Sequence, residues 1–311
     1  MLTISYINFW PQTQFNVQDF WLYEFIKKNI DSESKLINLN NNNEKIDILI
    51  ASCFGDIDSI KNINARIKIF FYGENLNNFY QYRDIKLLQE VFDLIIGFKY
   101  TNLNEKILRL PLWITYYPYY NFDKNDNILK YLQESYNNNF NLENKCMMAS
   151  LVANHDKNGI RTLISSEVIK YVDIICPGNF NRNTYPIGPT CKDKINFIKQ
   201  TKFNICPENS EFEGYFTEKI FEALEAGCIP IYWAIERPEK KILNENCYVW
   251  FDLNNVEKTR YDINRTIYNS NKYKDIKLFN DTAEDEIKII YNSLKTSIMD
   301  LLNVRAFAIL K

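Results

Sequence analysis

Short apolar runs alternate with amphipathic stretches along most of the chain, and this alternation restricts the fold more than any other feature. Residues 2–9, 45–54, 67–72, 91–98 and 107–113 read as strands, the second of them through Ile46, Ile48, Leu49 and Ile50. Residues 20–30 carry the period of an amphipathic helix, and 56–63 suit a short one. Strands that alternate with helices pair in parallel, so the expected architecture is α/β with a doubly wound sheet.

The pattern stops at residues 120–145, where polar, Asn-rich segments interrupt it, and then restarts. Residues 146–153, 172–176, 203–206, 228–233 and 247–251 read as strands, and 160–171, 192–199 and 216–226 as helices. In the last of these helices Phe216, Ile220, Ala223, Leu224 and Gly227 fall on one face. A final helix, capped by Asp281 or Thr282, carries the stripe Ile287, Ile290, Tyr291, Leu294, Ile298 and Leu301 to about residue 304. The expected division is a Rossmann-like domain at 1–125, a linker at 126–145 whose core at 128–134 can form one helix, a second such domain at 146–280, and a C-terminal helix at 281–311. The run Asn40–Asn43 is an expected loop tip. Two domains of this kind, facing each other, leave a cleft, and ligands of doubly wound sheets sit outside the carboxyl ends of the strands.

Composition removes several function classes. A net charge of −2 without a basic stripe disfavours a nucleic-acid partner. The seven cysteines are odd in number and contain no CxxC pair, which signals neither a disulfide framework nor a zinc site and fits a reducing, cytoplasmic compartment. The first residues lack a basic segment, and no run of 18 apolar residues occurs, so neither a signal peptide nor a spanning helix is expected. Peripheral membrane association and the oligomeric state stay open. His155 is the sole histidine, which removes the triads that need a placed imidazole, so any catalytic acids and bases are carboxylates. The acid pair Asp56 and Asp58 reads as the start of a helix rather than a metal site, and no metal or cofactor is expected.

The densest chemistry lies in Phe203-Asn-Ile-Cys-Pro-Glu-Asn-Ser-Glu-Phe-Glu-Gly-Tyr-Phe-Thr-Glu-Lys and its continuation to Ile229-Pro-Ile-Tyr-Trp, which reads as strand, polar loop, helix, strand. Lys219 falls in the first helical turn, the unfavourable end of a helix for a cation unless an anion sits there. Glu218 beside it can accept hydrogen bonds from sugar hydroxyls. Composition alone leaves an equal place for the plainer reading, in which Glu218 complements the helix dipole and Lys219 is solvated.

This segment resembles the donor-binding signature of the α1,3/4-fucosyltransferase family, with the match carried by Glu208, Asn209, Gly214, Tyr215, Thr217, Glu218, Lys219, Pro230, Tyr232 and Trp233. A second stretch, Phe71-Tyr72-Gly73-Glu74-Asn75 followed by residues 92–98 and 108–112, is similar to the acceptor-side half of bacterial members. The resemblance implies a GT-B-type glycosyltransferase that uses GDP-fucose and inverts the anomeric centre, with a glycan acceptor and an α1,3-type linkage favoured. It implies Glu74 as the catalytic carboxylate. It implies Arg161, Glu208, Asn209, Tyr215, Thr217, Glu218 and Lys219 as donor-binding residues. The chain departs from the family at Pro207, where an aromatic is usual, at Ala234 after Trp233, and at Phe71, a tyrosine in some relatives. Two other readings therefore stand beside it: a related transferase with another nucleotide-deoxysugar, and a glycan-binding protein without catalysis.

Overall fold

A computed structural model of the chain describes residues 1–10, 20–39, 45–100, 104, 106–117 and 128–309; of residues 305–309 it describes the backbone. The loop tip expected at Asn40–Asn43 and much of the polar break after residue 117 lie outside the described residues. The chain divides into two compact units, one of Met1–Pro118 with Ile287–Lys311 and one of Tyr119–Glu286.

In the first unit the described strands are β1 (Thr3–Ile7), β2 (Lys35–Leu36), β3 (Ile46–Ala51), β4 (Ala65–Phe71), β5 (Leu94–Gly97) and β6 (Ile107–Arg109). They form one parallel sheet in the order β2-β1-β3-β4-β5-β6. Ile48, Leu49 and Ile50 are all fully buried, as are Ile67 and Ile69 opposite them, because helices cover such a sheet and leave no solvent side. The helices are α1 (Trp21–Asn29), α2 (Ile57–Lys61) and α3 (Ile85–Val91). Asp56 caps α2 by accepting from the Asp58 N–H, so the acid pair serves the helix start, as its sequence suggests. Helix α3 shortens the strand expected at 91–98, since Asp84 accepts from the Lys86 and Leu87 N–H groups and starts a helix that runs through Val91.

In the second unit the helices are α4 (Ile128–Asn139), α5 (Ile160–Val168), α6 (Cys191–Ile198), α7 (Lys219–Glu225) and α8 (Val256–Tyr268). The strands β7 (Met147–Ser150), β8 (Ile174–Ile175), β9 (Thr201–Ile205), β10 (Ile229–Tyr232) and β11 (Val249–Trp250) pair in parallel in the order β11-β10-β9-β7-β8. Chain order reverses between β7 and β9: β8 lies on one side of β7 and β9 on the other. The carboxyl ends of β7 and β9 therefore flank the crevice where doubly wound sheets bind ligands.

Helix α4 occupies much of the stretch whose polarity suggests a linker. Its Tyr131 hydroxyl donates to Glu225 at 2.6 Å, and Asn139 donates to the Glu225 carbonyl at 2.8 Å, which fixes it to α7. Gly227 ends α7 at φ +65°, and a Cβ there would lie 2.4 Å from the Asn139 carbonyl carbon, so the packing of α4 and the sharp turn both require glycine.

Helix α9 (Ala283–Ile309) contributes Ile287 onward to the first unit. Ile287, Tyr291, Leu294, Ile298 and Leu302 are buried, and the rings of Phe25 and Tyr291 lie 5.8 Å apart. Leu302 replaces the expected Leu301 in the buried stripe, a drift that follows from the 3.6-residue turn. Among the described residues no helix is long and apolar enough to cross a membrane.

Candidate active site

The recess at the switch point of the second sheet is lined by Leu151 and Val152 after β7, by Asn204 to Pro207 at the end of β9, and by three cations, Arg161, Lys194 and Lys219. Sequence reasoning finds two of the three. It misses Lys194 because that residue sits on α6, outside the loop and helix that carry the motif, and looks like one more surface lysine.

Helix α7 starts at Lys219, three residues later than the apolar period suggests, and Glu208 is the reason. Its side chain is fully buried just past β9. One carboxylate oxygen accepts from the Thr217 N–H and the Tyr232 hydroxyl, each at 2.9 Å; the other accepts from the Thr217 hydroxyl at 2.7 Å and the Lys219 ammonium at 3.1 Å. The four bonds use the acceptor capacity of an ionised carboxylate. They draw residue 217 out of the helix, with Gly214 at φ +72° making the turn before it. Glu208 is thus a buried anchor that presents Lys219, and its oxygens face the protein's own donors. Thr217 is buried and also accepts from Lys219 at 2.6 Å. Tyr215 is buried, whereas Asn209 is exposed.

Arg161 occupies the second residue of α5 and is only 6% exposed. Its guanidinium donates to the His155 carbonyl and to the Asn209 side-chain oxygen, and approaches His155 Nδ1 at 3.4 Å. Among the described residues no carboxylate pairs with it within 4.0 Å; Asp156 accepts from its backbone N–H instead. Burial draws the guanidinium below its ordinary value, with Asp156 and Glu208 countering from a distance. A guanidinium stays charged in proteins, so this is a buried cation held by neutral acceptors, a costly arrangement that an anionic ligand relieves. Burial and then the Arg161 charge hold the His155 imidazole below its usual range.

Behind Lys219 the charges form a chain. Glu218 lies 3.5 Å from Lys219 and 3.8 Å from Lys194, and Lys194 also contacts Glu222. Burial opposes ionisation of Glu218, yet the two ammonium groups outweigh it and hold this carboxyl below its usual range. For Glu222 burial wins over Lys194 and pushes the carboxyl up to about 7. A group with a raised folded pKa contributes stability fully below its unfolded value and loses it as pH rises through the folded value. Between pH 4.5 and 7 the melting temperature of the native chain should therefore fall relative to that of Glu222→Gln, measured by calorimetry in parallel buffers. Parallel curves for the two proteins would show that folding does not raise the Glu222 carboxyl.

Glu74 belongs to the first unit, two residues past Tyr72 at the carboxyl edge of β4. Gly73 holds the backbone close to its neighbours: a Cβ there would meet Leu112 at 3.3 Å and Trp10 at 3.6 Å. Asn75 caps the following turn by accepting from the Asn77 N–H at 3.0 Å. Glu74 is half-buried and close enough to Cys53 for its charge to add to the burial that pushes that thiol up to about 12.

The two-sheet α/β architecture is that of GT-B glycosyltransferases. A crystal structure of an α1,3-fucosyltransferase superposes with a TM-score of 0.68 at 22% identity, covering 95% of this chain and 90% of that one. The same enzyme type crystallised with GDP-fucose gives the same score, and with GDP a score of 0.64. Residues 142–285 match the family model described as glycosyltransferase family 10 (fucosyltransferase) C-term, and residues 4–116 match the α-(1,3)-fucosyltransferase FucT N-terminal domain. The chain belongs to this fucosyltransferase family. It is 28% identical to the α-(1,3)-fucosyltransferase FucT of Helicobacter pylori over 254 residues, 72% of this chain, and it spans about half the length of that relative.

Proposed function

We propose that the chain transfers fucose from GDP-fucose to a saccharide hydroxyl, with inversion and without a metal ion, and that α1,3 is the linkage. The observation that carries the reading is the convergence of Arg161, Lys194 and Lys219 at the switch point, with Arg161 buried and lacking an ion-pair partner among the described residues. A nucleotide diphosphate suits such a site, since its charge replaces the missing carboxylate. The GDP-fucose bound in one fold relative, and the name of the H. pylori relative, support fucose as the sugar.

In the proposed reaction the acceptor oxygen forms a bond to the anomeric carbon while the bond from that carbon to the phosphate oxygen breaks. GDP leaves with the electron pair, and Glu74 takes the acceptor proton. One displacement inverts the centre. Arg161 and Lys219 stabilise the charge that grows on the diphosphate, and Lys194 adds to their field. Glu218 and Asn209 accept from donor hydroxyls, Tyr215 and Thr217 shape the loop, and Glu208 holds Lys219 in place.

A release assay for GDP over a panel of nucleotide sugars tests the reading; turnover with GDP-fucose is expected. Pro207 lines the recess where the family usually has an aromatic, which favours, as a second reading, a transferase for another nucleotide-deoxysugar. Preferred turnover of a different donor would establish it. A pure glycan-binding protein has no use for a buried guanidinium without a carboxylate partner among the described residues, and absence of GDP binding by calorimetry is what that alternative requires. Because three side-chain cations stand at the diphosphate, EDTA should leave the rate largely unchanged. Full loss on chelation, restored by manganese or magnesium, would place a metal at the leaving group instead.

A further inference from the structure

A second hollow in the second unit lies along the edge strand β11, and none of its lining residues lines the recess described above. Three cations line it: Arg237 from the loop after β10, Arg265 from α8, and Lys272 from the turn that follows α8. Arg237 is engaged, with its guanidinium 5.5 Å from the Trp250 ring centre and 3.6 Å from Glu245. Arg265 and Lys272 form no ion pair among the described residues. The acid between them and the helix start, Asp262, pairs with Lys258 at 3.6 Å. The Lys272 ammonium lies 4.8 Å from the Tyr273 ring centre, and burial, with Arg265 nearby, lowers its basicity. Two cations thus share one hollow, and among the described residues no counter-ion contacts either.

The rest of the lining is not what a bare anion needs. Glu245, Asp262 and Asn246 add acceptors, and the Thr266 hydroxyl lies 3.4 Å from that of Tyr273. Carboxylates beside the cations repel any anion, and on an acidic sugar, unlike a bare phosphate, the hydroxyl groups from which they accept offset that repulsion. Arg265 also belongs to the outer face of α8, between Tyr261 and Tyr268 at spacings of four and three residues. These two rings are 63% and 84% exposed, although tyrosine on a helix flank has no need to face water so fully. Exposed rings stack on the C–H faces of sugars, cations hold an acid group, and carboxylates take up hydroxyls.

From this combination we propose that the hollow along β11, with the Tyr261–Arg265–Tyr268 face of α8, binds an acidic saccharide, a sugar chain bearing a carboxylate or phosphate. The proposal does not depend on which nucleotide the recess holds. The site recognises a charged sugar through Arg265 and Lys272, and neighbouring sugar rings through the two tyrosines.

Calorimetric titration of the full chain with sialyllactose, glucose 6-phosphate, lactose and inorganic phosphate tests it, beside sedimentation with phosphatidylglycerol vesicles. Binding of at least one acidic sugar is expected, at least ~10-fold tighter than lactose, because a charge-assisted contact contributes about 1.5–3 kcal/mol. Arg265→Ala combined with Lys272→Ala should abolish that preference while GDP affinity is unchanged, and Tyr261→Ala with Tyr268→Ala should weaken sialyllactose more than glucose 6-phosphate. All four side chains are exposed, so the variants fold. Equal binding of acidic and neutral sugars, or binding unaffected by loss of the two cations, would overturn the proposal. Inorganic phosphate binding as tightly as the sugars, or association with vesicles alone, would also overturn it, since neither requires a saccharide.

Discussion

Glu74→Gln should abolish fucosyl transfer while leaving GDP affinity intact. The substitution keeps the shape of the side chain and removes the basic oxygen that receives the acceptor proton in the proposed reaction. Loss of a general base typically costs about 10²–10⁴ in rate, far more than any solvated turn acid contributes. Its surroundings are built to hold it: Gly73 keeps the backbone against Leu112 and Trp10, and Asn75 locks the turn behind it. Arg161, Lys194 and Lys219, the cations proposed to hold the nucleotide, belong to the other unit, so calorimetric GDP binding should not change. The decisive measurement is transfer rate at saturating donor. A decrease of only a few-fold would move the base elsewhere, with Glu218 next in line. Collapse of rate and GDP affinity together would end the assignment of base and nucleotide to separate units.

Lys219→Ala should weaken GDP binding at least ~10-fold, because one charge-assisted contact to a diphosphate is lost and contributes about 1.5–3 kcal/mol. The fold should survive the change. Glu208 keeps three of its four donors, the Thr217 N–H and the hydroxyls of Thr217 and Tyr232, so its carboxylate is not left unpaired. Lys194→Ala should have a smaller effect, since Lys194 divides its charge between Glu218 and Glu222. Unchanged GDP affinity in folded Lys219→Ala would remove the recess from the donor site.

Both variants rest on residues legible in the sequence, and the limits of that legibility have physical causes. The strands are easy to find because helices cover both faces, so β5 and β10 read as unbroken apolar runs. Helices with narrow buried faces are harder. Helix α3 buries only Leu88, and α8 buries Thr259, Ile263 and Thr266, two of which do not count as apolar. The motif from residue 207 to 219 exposes the chemistry of Lys219 but hides the role of Glu208, because a buried carboxylate and a ligand-facing one look alike in one dimension. Lys194 is absent from any linear motif and acquires meaning only when α6 is placed beside α7. That Arg161 meets no carboxylate among the described residues is likewise a property of three dimensions.

The contribution of α9 to the first unit has a practical side. That unit is discontinuous in sequence: residues 1–118 lack the segment that supplies Tyr291, Leu294, Ile298 and Leu302. A chimera that exchanges the first unit between two members of the family by a single crossover near residue 118 would pair a foreign sheet with the resident C-terminal helix. Phe25 would then be replaced by a residue never selected to meet Tyr291. Modular exchange in this architecture calls for two crossovers, with residues 287–302 travelling alongside the first 118.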